Sequence, residues 1–201
     1  MIVLLLALAC TDWFASTDTG SSTNTDTASA DTADSGEDAT ERAADDARVR
    51  ALTDLPGGEF PCLDPMLVRV AYITDGDTVY VHPEDGSAGR KVRMIGIDTP
   101  EIEHDDPAEC FGEEAMGYTS EALLERLVWL TFDSDCIDPY DRTLAYVFRD
   151  QGEAGFFNRV LARQGYATAL AIDPNTTFEA EIDADVREAQ REGAGMWEAC
   201  P

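Results

Sequence analysis

Hydrophobic positions fall into a regular rhythm only in the last two thirds of the 201-residue chain. At 67–74 (LVRVAYIT) and 78–82 (TVYVH) apolar and polar residues alternate, the period of strands with one buried face. The corner Asp75-Gly76-Asp77 between them makes the second run a hairpin partner or a continuation of the first. EDGSAG at 84–89 has turn chemistry, and 91–97 reads as a third strand. From 112 to about 127 (GEEAMGYTSEALLERL) the spacing changes: Ala115, Tyr118, Ala122, Leu123 and Leu127 recur as on one helix face. Strands follow at 128–132 and 143–148 (TLAYVF), then a short helix at 157–164 stopped by Gly165. A third, very acidic helix spans 177 to about 192 and ends at Gly193. The order βββαββαα defines an α+β domain, and five strands with helices suggest a small barrel with helices packed on it.

The first third lacks this rhythm. Ile2 to Ala9 is an apolar run ending at Cys10, far short of a membrane span. It reads as a secretory signal and resembles a bacterial lipoprotein signal, in which the cysteine becomes the lipidated first residue. From Thr11 to about Asp46, Thr, Ser, Asp, Ala and Gly dominate. After Trp13 and Phe14 no large apolar residue offsets the entropy of ordering the chain. The expected division is a signal or lipoprotein-like segment at 1–10, a disordered acidic linker at 11–60 and a folded domain at 61–201. Such a chain is expected to be exported, held at the cell envelope by a lipid at Cys10 or else secreted, and monomeric.

Charge first argues against a polyanion partner. The chain has 41 acidic and 14 basic residues, a formal net charge of -27, and a single lysine, Lys91. Nucleic-acid binders are as a rule basic; a surface of dense carboxylates with almost no lysine suits a salty medium. Without Cys10, four of the five cysteines remain, an even number in a chain that reads as exported. Three pairings are open. The expected one joins Cys62 to Cys200, stapling the domain's ends, and Cys110 to Cys136. His82 and His104 read as surface residues, since no Cys/His spacing supports zinc. Trp197 and the Phe156–Phe157 pair read as core.

Three short segments concentrate the chemistry: Asp75–Thr78 (DGDT), Arg93 with 98–101 (DTPE), and 138–142 (DPYDR). Hard oxygen donors from separate strands suit Ca²⁺, which takes about six to eight oxygens. Arginine forks bind phosphate oxygens bidentately and favour the extra charge of a pentacovalent transition state. A carboxylate beside both could orient or deprotonate a water. The ordered set DGDTV, VRMIGIDTPE, ECFGEEA, DPYDRTLAYV, FFNRVLARQGYA and GMW resembles the staphylococcal nuclease (thermonuclease) family over 67–198.

That resemblance implies a five-stranded oligonucleotide-binding (OB) barrel with three helices. It implies Asp77 and Asp98 as calcium carboxylates, the Thr99 carbonyl as a further ligand, and Asp75 close by. Arg93 and Arg142 match the phosphate-binding arginines, Glu101 the glutamate that contacts the attacking water, and Tyr140 a tyrosine beside the 5′-phosphate pocket. The implied activity is Ca²⁺-dependent cleavage of DNA and RNA to 3′-phosphate products. The alternatives are a non-catalytic binding module on the same barrel and a calcium-stabilised surface lipoprotein. The sequence departs from the family at Asp141, where glycine is usual, and at Pro139, where a lysine is frequent. The loop 102–109 (IEHDDPAE) is acidic where relatives often carry lysines, and ATALAID before Pro174 lacks base-stacking tyrosines.

Overall fold

The computed structural model describes residues 34–102 and 108–201. Cys10 and the rest of the signal-like segment, residues 11–33, and His104 with its acidic neighbours lie outside the described residues. Strands β1 (Met66–Ile73), β2 (Thr78–Pro83), β3 (Arg90–Met94), β5 (Leu127–Thr131) and β6 (Thr143–Phe148) close a barrel in the order β1-β2-β3-β6-β5. All neighbours are antiparallel except β3 and β6, which run parallel with Val92 opposite Thr143. Two short strands, β4 (Gly96–Asp98) and β7 (Thr168–Leu170), form a separate pair. The alternation read from sequence is the inside–outside code of the barrel. Val68, Val70, Val79, Val81, Val92, Met94, Val128 and Leu130 are buried in one core, joined by Phe157 and Leu161 of α3 (Phe157–Arg163) and Ile182 of α4 (Glu179–Glu192). Phe156 is also buried, and Trp197 packs against the core from α5 (Met196–Ala199).

The third strand is broken where the sequence suggested continuity. Gly96 has φ +83°, and a Cβ there would lie 2.6 Å from the Ile182 side chain. The chain therefore leaves the barrel after Met94 and delivers Asp98 on β4, paired with Thr168 of β7. α2 (Gly112–Leu123) also ends earlier than its apolar spacing implied. Glu125 takes φ 59°, so Leu127 starts β5 rather than a further helical turn.

Residues 34–60, expected to belong to the unstructured linker, are ordered on the barrel. α1 (Asp34–Arg50) buries Val49, whose carbonyl accepts a 2.9 Å hydrogen bond from Trp129 Nε1. Asp46 pairs with Arg69 at 2.6 Å and Arg42 with Glu125 at 2.7 Å. The following segment is tied down through Thr131 Oγ1 to the Pro56 carbonyl and Gly58 N–H to the Phe132 carbonyl. Low hydropathy suggested disorder, but apolar anchors at Val49 and Leu55 and charges complementary to the barrel hold this stretch.

The four cysteines among the described residues are all paired, but not as expected. Cys62 joins Cys136 and Cys110 joins Cys200, with Cα separations of 5.8 and 5.9 Å. The N-terminal strap explains the first: the Cys62 N–H donates to the Asp133 carbonyl, placing Cys62 beside the loop that carries Cys136. The second follows from the C-terminus folding back, with Met196 N–H on the Gly165 carbonyl, which brings Cys200 to the start of α2.

Candidate active site

The site begins at the corner between β1 and β2. Asp75 Oδ1 accepts the Asp77 N–H at 3.2 Å, and Thr119 Oγ1 of α2 donates to the Gly76 carbonyl at 2.6 Å. Only glycine fits at 76, because a Cβ would meet the Thr99 side chain at 2.8–2.9 Å. This close approach couples the corner to the Asp98–Thr99 segment. Asp77 Oδ2 accepts the Thr99 N–H at 2.9 Å, and Asp77 Oδ1 accepts the Thr78 hydroxyl at 3.0 Å.

Arg93 bridges the two carboxylates. Its guanidinium lies 3.0 Å from Asp77 Oδ2 and 2.6 Å from Asp98 Oδ1, and also donates to the Met94 and Ile97 carbonyls at 2.8 and 2.7 Å. Burial pushes the Asp77 carboxyl up to about 7; Arg93 pulls it down, and neighbouring Asp75 adds to the rise. The Glu101 carboxyl is also raised, by burial first and then by Asp75 and Asp98. The Glu101 backbone is clamped: its carbonyl accepts the Glu109 N–H at 2.9 Å, and its N–H donates to Glu109 Oε2 at 3.2 Å. Gly112 presses on the same carbonyl, where a Cβ would lie 2.4 Å away.

Arg142 is held from the other side of the site. Its Nε donates to Asp138 Oδ2 at 2.6 Å, while Asp138 Oδ1 accepts the N–H groups of Tyr140 and Arg142, each at 2.9 Å. Burial alone would raise the Asp138 carboxyl, but these hydrogen bonds outweigh it and hold the group below its usual range. The Arg142 guanidinium lies over the Tyr140 ring, 5.3 Å from its centroid. The carboxylate that holds Arg142 is therefore Asp138, which the sequence places in the DPYDR segment without a role of its own; its i, i+4 spacing to Arg142 is the signal for this pairing. Asp141 is exposed and takes φ 62°, which explains the preference for glycine at this position. Replacing Asp141 with glycine is expected to stabilise the domain by about 0.5–1 kcal/mol, measured by urea unfolding.

A groove of about 610 Å³ unites the chemistry: Arg93, Asp98, Glu101, Tyr140 and Arg142 all line it. Asp77 and Thr99 are buried behind it and reach it through Arg93 and Asp98. Among the described residues, no three acidic, histidine or cysteine side chains converge as a metal cage. The donor chemistry nevertheless fits a hard cation. Two buried carboxylates, Asp75 and Asp77, lie side by side, and Asp77 is ion-paired only through an arginine shared with Asp98.

Arginines and carboxylates facing one groove beside an OB-type barrel are side-chain chemistry suited to binding phosphate esters. The profile of the family described as Staphylococcal nuclease homologue matches residues 91–199, more than half of the chain. The chain is 36% identical to the thermonuclease of Staphylococcus intermedius over 130 residues, covering 64% of this chain and 74% of that protein. It is 35% identical to the thermonuclease of Staphylococcus hyicus over the same shares. An uncharacterized protein of Bacillus anthracis is 34% identical over 140 residues, 67% of this chain and 62% of that one. The chain belongs to the staphylococcal nuclease family.

Proposed function

We propose that the chain is a nuclease that hydrolyses phosphodiester bonds of DNA and RNA with Ca²⁺ as cofactor. The observation that carries this reading is the convergence of Arg93, Arg142 and Glu101 on one groove beside Asp77 and Asp98. Asp77 and Asp98 would hold the cation, with the Thr99 carbonyl as a further donor and water or substrate completing the shell. When bound, the ion supplies Lewis-acid stabilisation of charge on the phosphoryl oxygens. Arg142 and Arg93 bind those oxygens and neutralise charge that develops as phosphorus becomes five-coordinate. Glu101 orients the attacking water and accepts its proton. The P–O5′ bond breaks, the 5′ oxygen takes a proton, and the other fragment keeps a 3′-phosphate. Little base preference is expected, since the reacting groups are all on the backbone. The two disulfides support export to an oxidising compartment.

Plasmid DNA and RNA degradation with Ca²⁺, and with chelator, tests the proposal. Loss of both substrates only in the presence of Ca²⁺ supports it; nucleic-acid binding without turnover favours the binding module instead. A second expectation follows from charge. A protein of net charge -27 repels a polyanion at long range. The Debye length falls from about 30 Å at 0.01 M salt to about 3 Å at 1 M. Added salt should therefore remove repulsion before it weakens the short contacts in the groove. At saturating Ca²⁺, kcat/KM on DNA is expected to rise from low salt to a maximum at roughly several tenths molar. A NaCl titration at fixed free Ca²⁺, with folding followed by Trp129 and Trp197 fluorescence, checks this. A monotonic fall with the fold intact would mean that the acidic surface lies off the substrate path.

A further inference from the structure

The outer face of β1, β2 and β3 carries a row of side chains that the reaction above does not use. Tyr72 is paired with Tyr80 across β1 and β2, and Tyr80 with Lys91 across β2 and β3. The two tyrosine rings stack with centroids 4.8 Å apart and planes 6° from parallel. His82 sets its ring edge-on against Tyr80 at 5.5 Å, steadying the pair. Tyr72 is 49% exposed, so its end of the stack is open to solvent, while Tyr80 is half-buried between Tyr72 and His82. Lys91, Tyr140 and Arg142 together line a surface hollow of about 280 Å³. Because side chains alternate along β3 and Val92 is buried, Lys91 faces outward like Arg93. The row therefore runs from Tyr72 through Tyr80 and Lys91 directly to the Arg142 side of the groove.

A cross-strand aromatic pair stabilises a sheet on its own. Sheet stability does not account for the lysine. It is the single lysine of a chain with 41 acidic residues, and among the described residues it has no carboxylate within ion-pair distance. Arg93 and Arg142 in the adjoining groove are ion-paired, whereas Arg90, Arg149 and Arg191 lack an ion pair among the described residues, as Lys91 does; of these four, Lys91 is the one that shares a hollow with Tyr140 and Arg142. An aromatic stack followed by an unpaired cation, continuous with a phosphate-handling groove, matches the chemistry of a strand with alternating bases and phosphates.

We propose that Tyr72, Tyr80 and Lys91 form an accessory docking track for single-stranded nucleic acid, which stacks bases on the tyrosines, holds a phosphate at Lys91 and feeds the strand toward Arg142. The proposal rests on the nuclease reading and extends its groove outward. Three strands spaced about 4.8 Å apart span about 10 Å, enough for two or three stacked nucleotides. A duplex keeps its base faces internally stacked, so the track favours single strands. It is sequence-tolerant, because every base has a π-face.

The test uses the full chain with Tyr72→Ala/Tyr80→Ala, Lys91→Ala and Lys91→Arg. Binding of a labelled single strand of ~12 nucleotides is read by fluorescence anisotropy in chelator, where no cleavage is expected. KM and kcat are then measured with Ca²⁺ on the same strand, on a duplex and on a dinucleotide. The tyrosine pair is expected to raise Kd and KM for the single strand roughly ten-fold, with kcat and dinucleotide cleavage unchanged. Lys91→Ala raises both about three-fold and Lys91→Arg restores them. An iodouracil-containing strand should photocrosslink to Tyr72 or Tyr80. Tyr72→Leu/Tyr80→Leu keeps apolar bulk without a π-face, and covers the case in which the alanine pair does not fold. Unchanged Kd and KM for the single strand in folded variants would overturn the track while leaving the nuclease reading standing. Tyrosine-dependent binding without cleavage under any metal would overturn the nuclease reading and leave the track.

Discussion

Glu101→Gln and Arg142→Ala are each expected to lower turnover on DNA by at least about 10²-fold, the cost of one preorganised charge donor or acceptor at a developing charge. Glu101→Gln preserves shape and the backbone clamp to Glu109, and removes the negative charge and with it the ability to accept a proton. Arg142→Ala leaves Asp138 with its two backbone donors, so the turn should hold and the loss should fall on catalysis. Arg93 is a different case. Its side chain is 12% exposed and spans Asp77, Asp98 and two carbonyls, so it is a strut of the fold in addition to its proposed role at the phosphate. Removing it leaves the Asp77 carboxylate buried without its cation, and Arg93→Ala is expected to cost about 3–5 kcal/mol of stability besides activity. Urea unfolding beside single-turnover kinetics separates the two effects. Wild-type turnover in folded Glu101→Gln and Arg142→Ala proteins would show that the groove does not carry the reaction.

The barrel was legible because its code is local. LVRVAYIT, TVYVH and TLAYVF alternate, and alternation alone decides which side chains face the core. The candidate site was legible because its residues cluster in three short segments that the barrel closure brings together. What escaped were features set by partners distant in sequence. Asp98 is delivered by a strand that breaks at Gly96, and the break depends on Ile182, a residue of α4. β7 is three residues long and exists only because β4 lies beside it. α1 has almost no apolar signal, since its order comes from Val49 and from ion pairs to Arg69 and Glu125 on the barrel. The choice among three disulfide pairings turned on two such docking events, the strap at Cys62 and the returning C-terminus.

That connectivity predicts that the two disulfides have unequal roles. Each closes a long loop, with sequence separations of 74 and 90. In the chain-entropy account each is worth roughly 4 kcal/mol, so loss of either one alone removes a large share of a typical domain's stability. Because the loops overlap in sequence, losing both should cost less than twice as much. Cys62–Cys136 ties the strap to the loop preceding β6, so Cys62→Ser/Cys136→Ser should lower the urea midpoint while the folded fraction turns over normally. Cys110–Cys200 anchors the segment between Glu109, which bonds to the Glu101 backbone in both directions, and Gly112, which packs on the Glu101 carbonyl. Cys110→Ser/Cys200→Ser should cost similar stability and in addition slow kcat, because a loosened clamp lets Glu101 leave the position from which it is proposed to orient the attacking water. A misplacement of about 1 Å at a reacting group can cost on the order of 10²-fold, so a drop of roughly ten-fold or more is expected from this pair. Both variants are compared at equal folded fraction, set by urea titration. Equal kcat in the two, with both destabilised, would show that Glu101 is held by the barrel without help from the Cys110–Cys200 bridge.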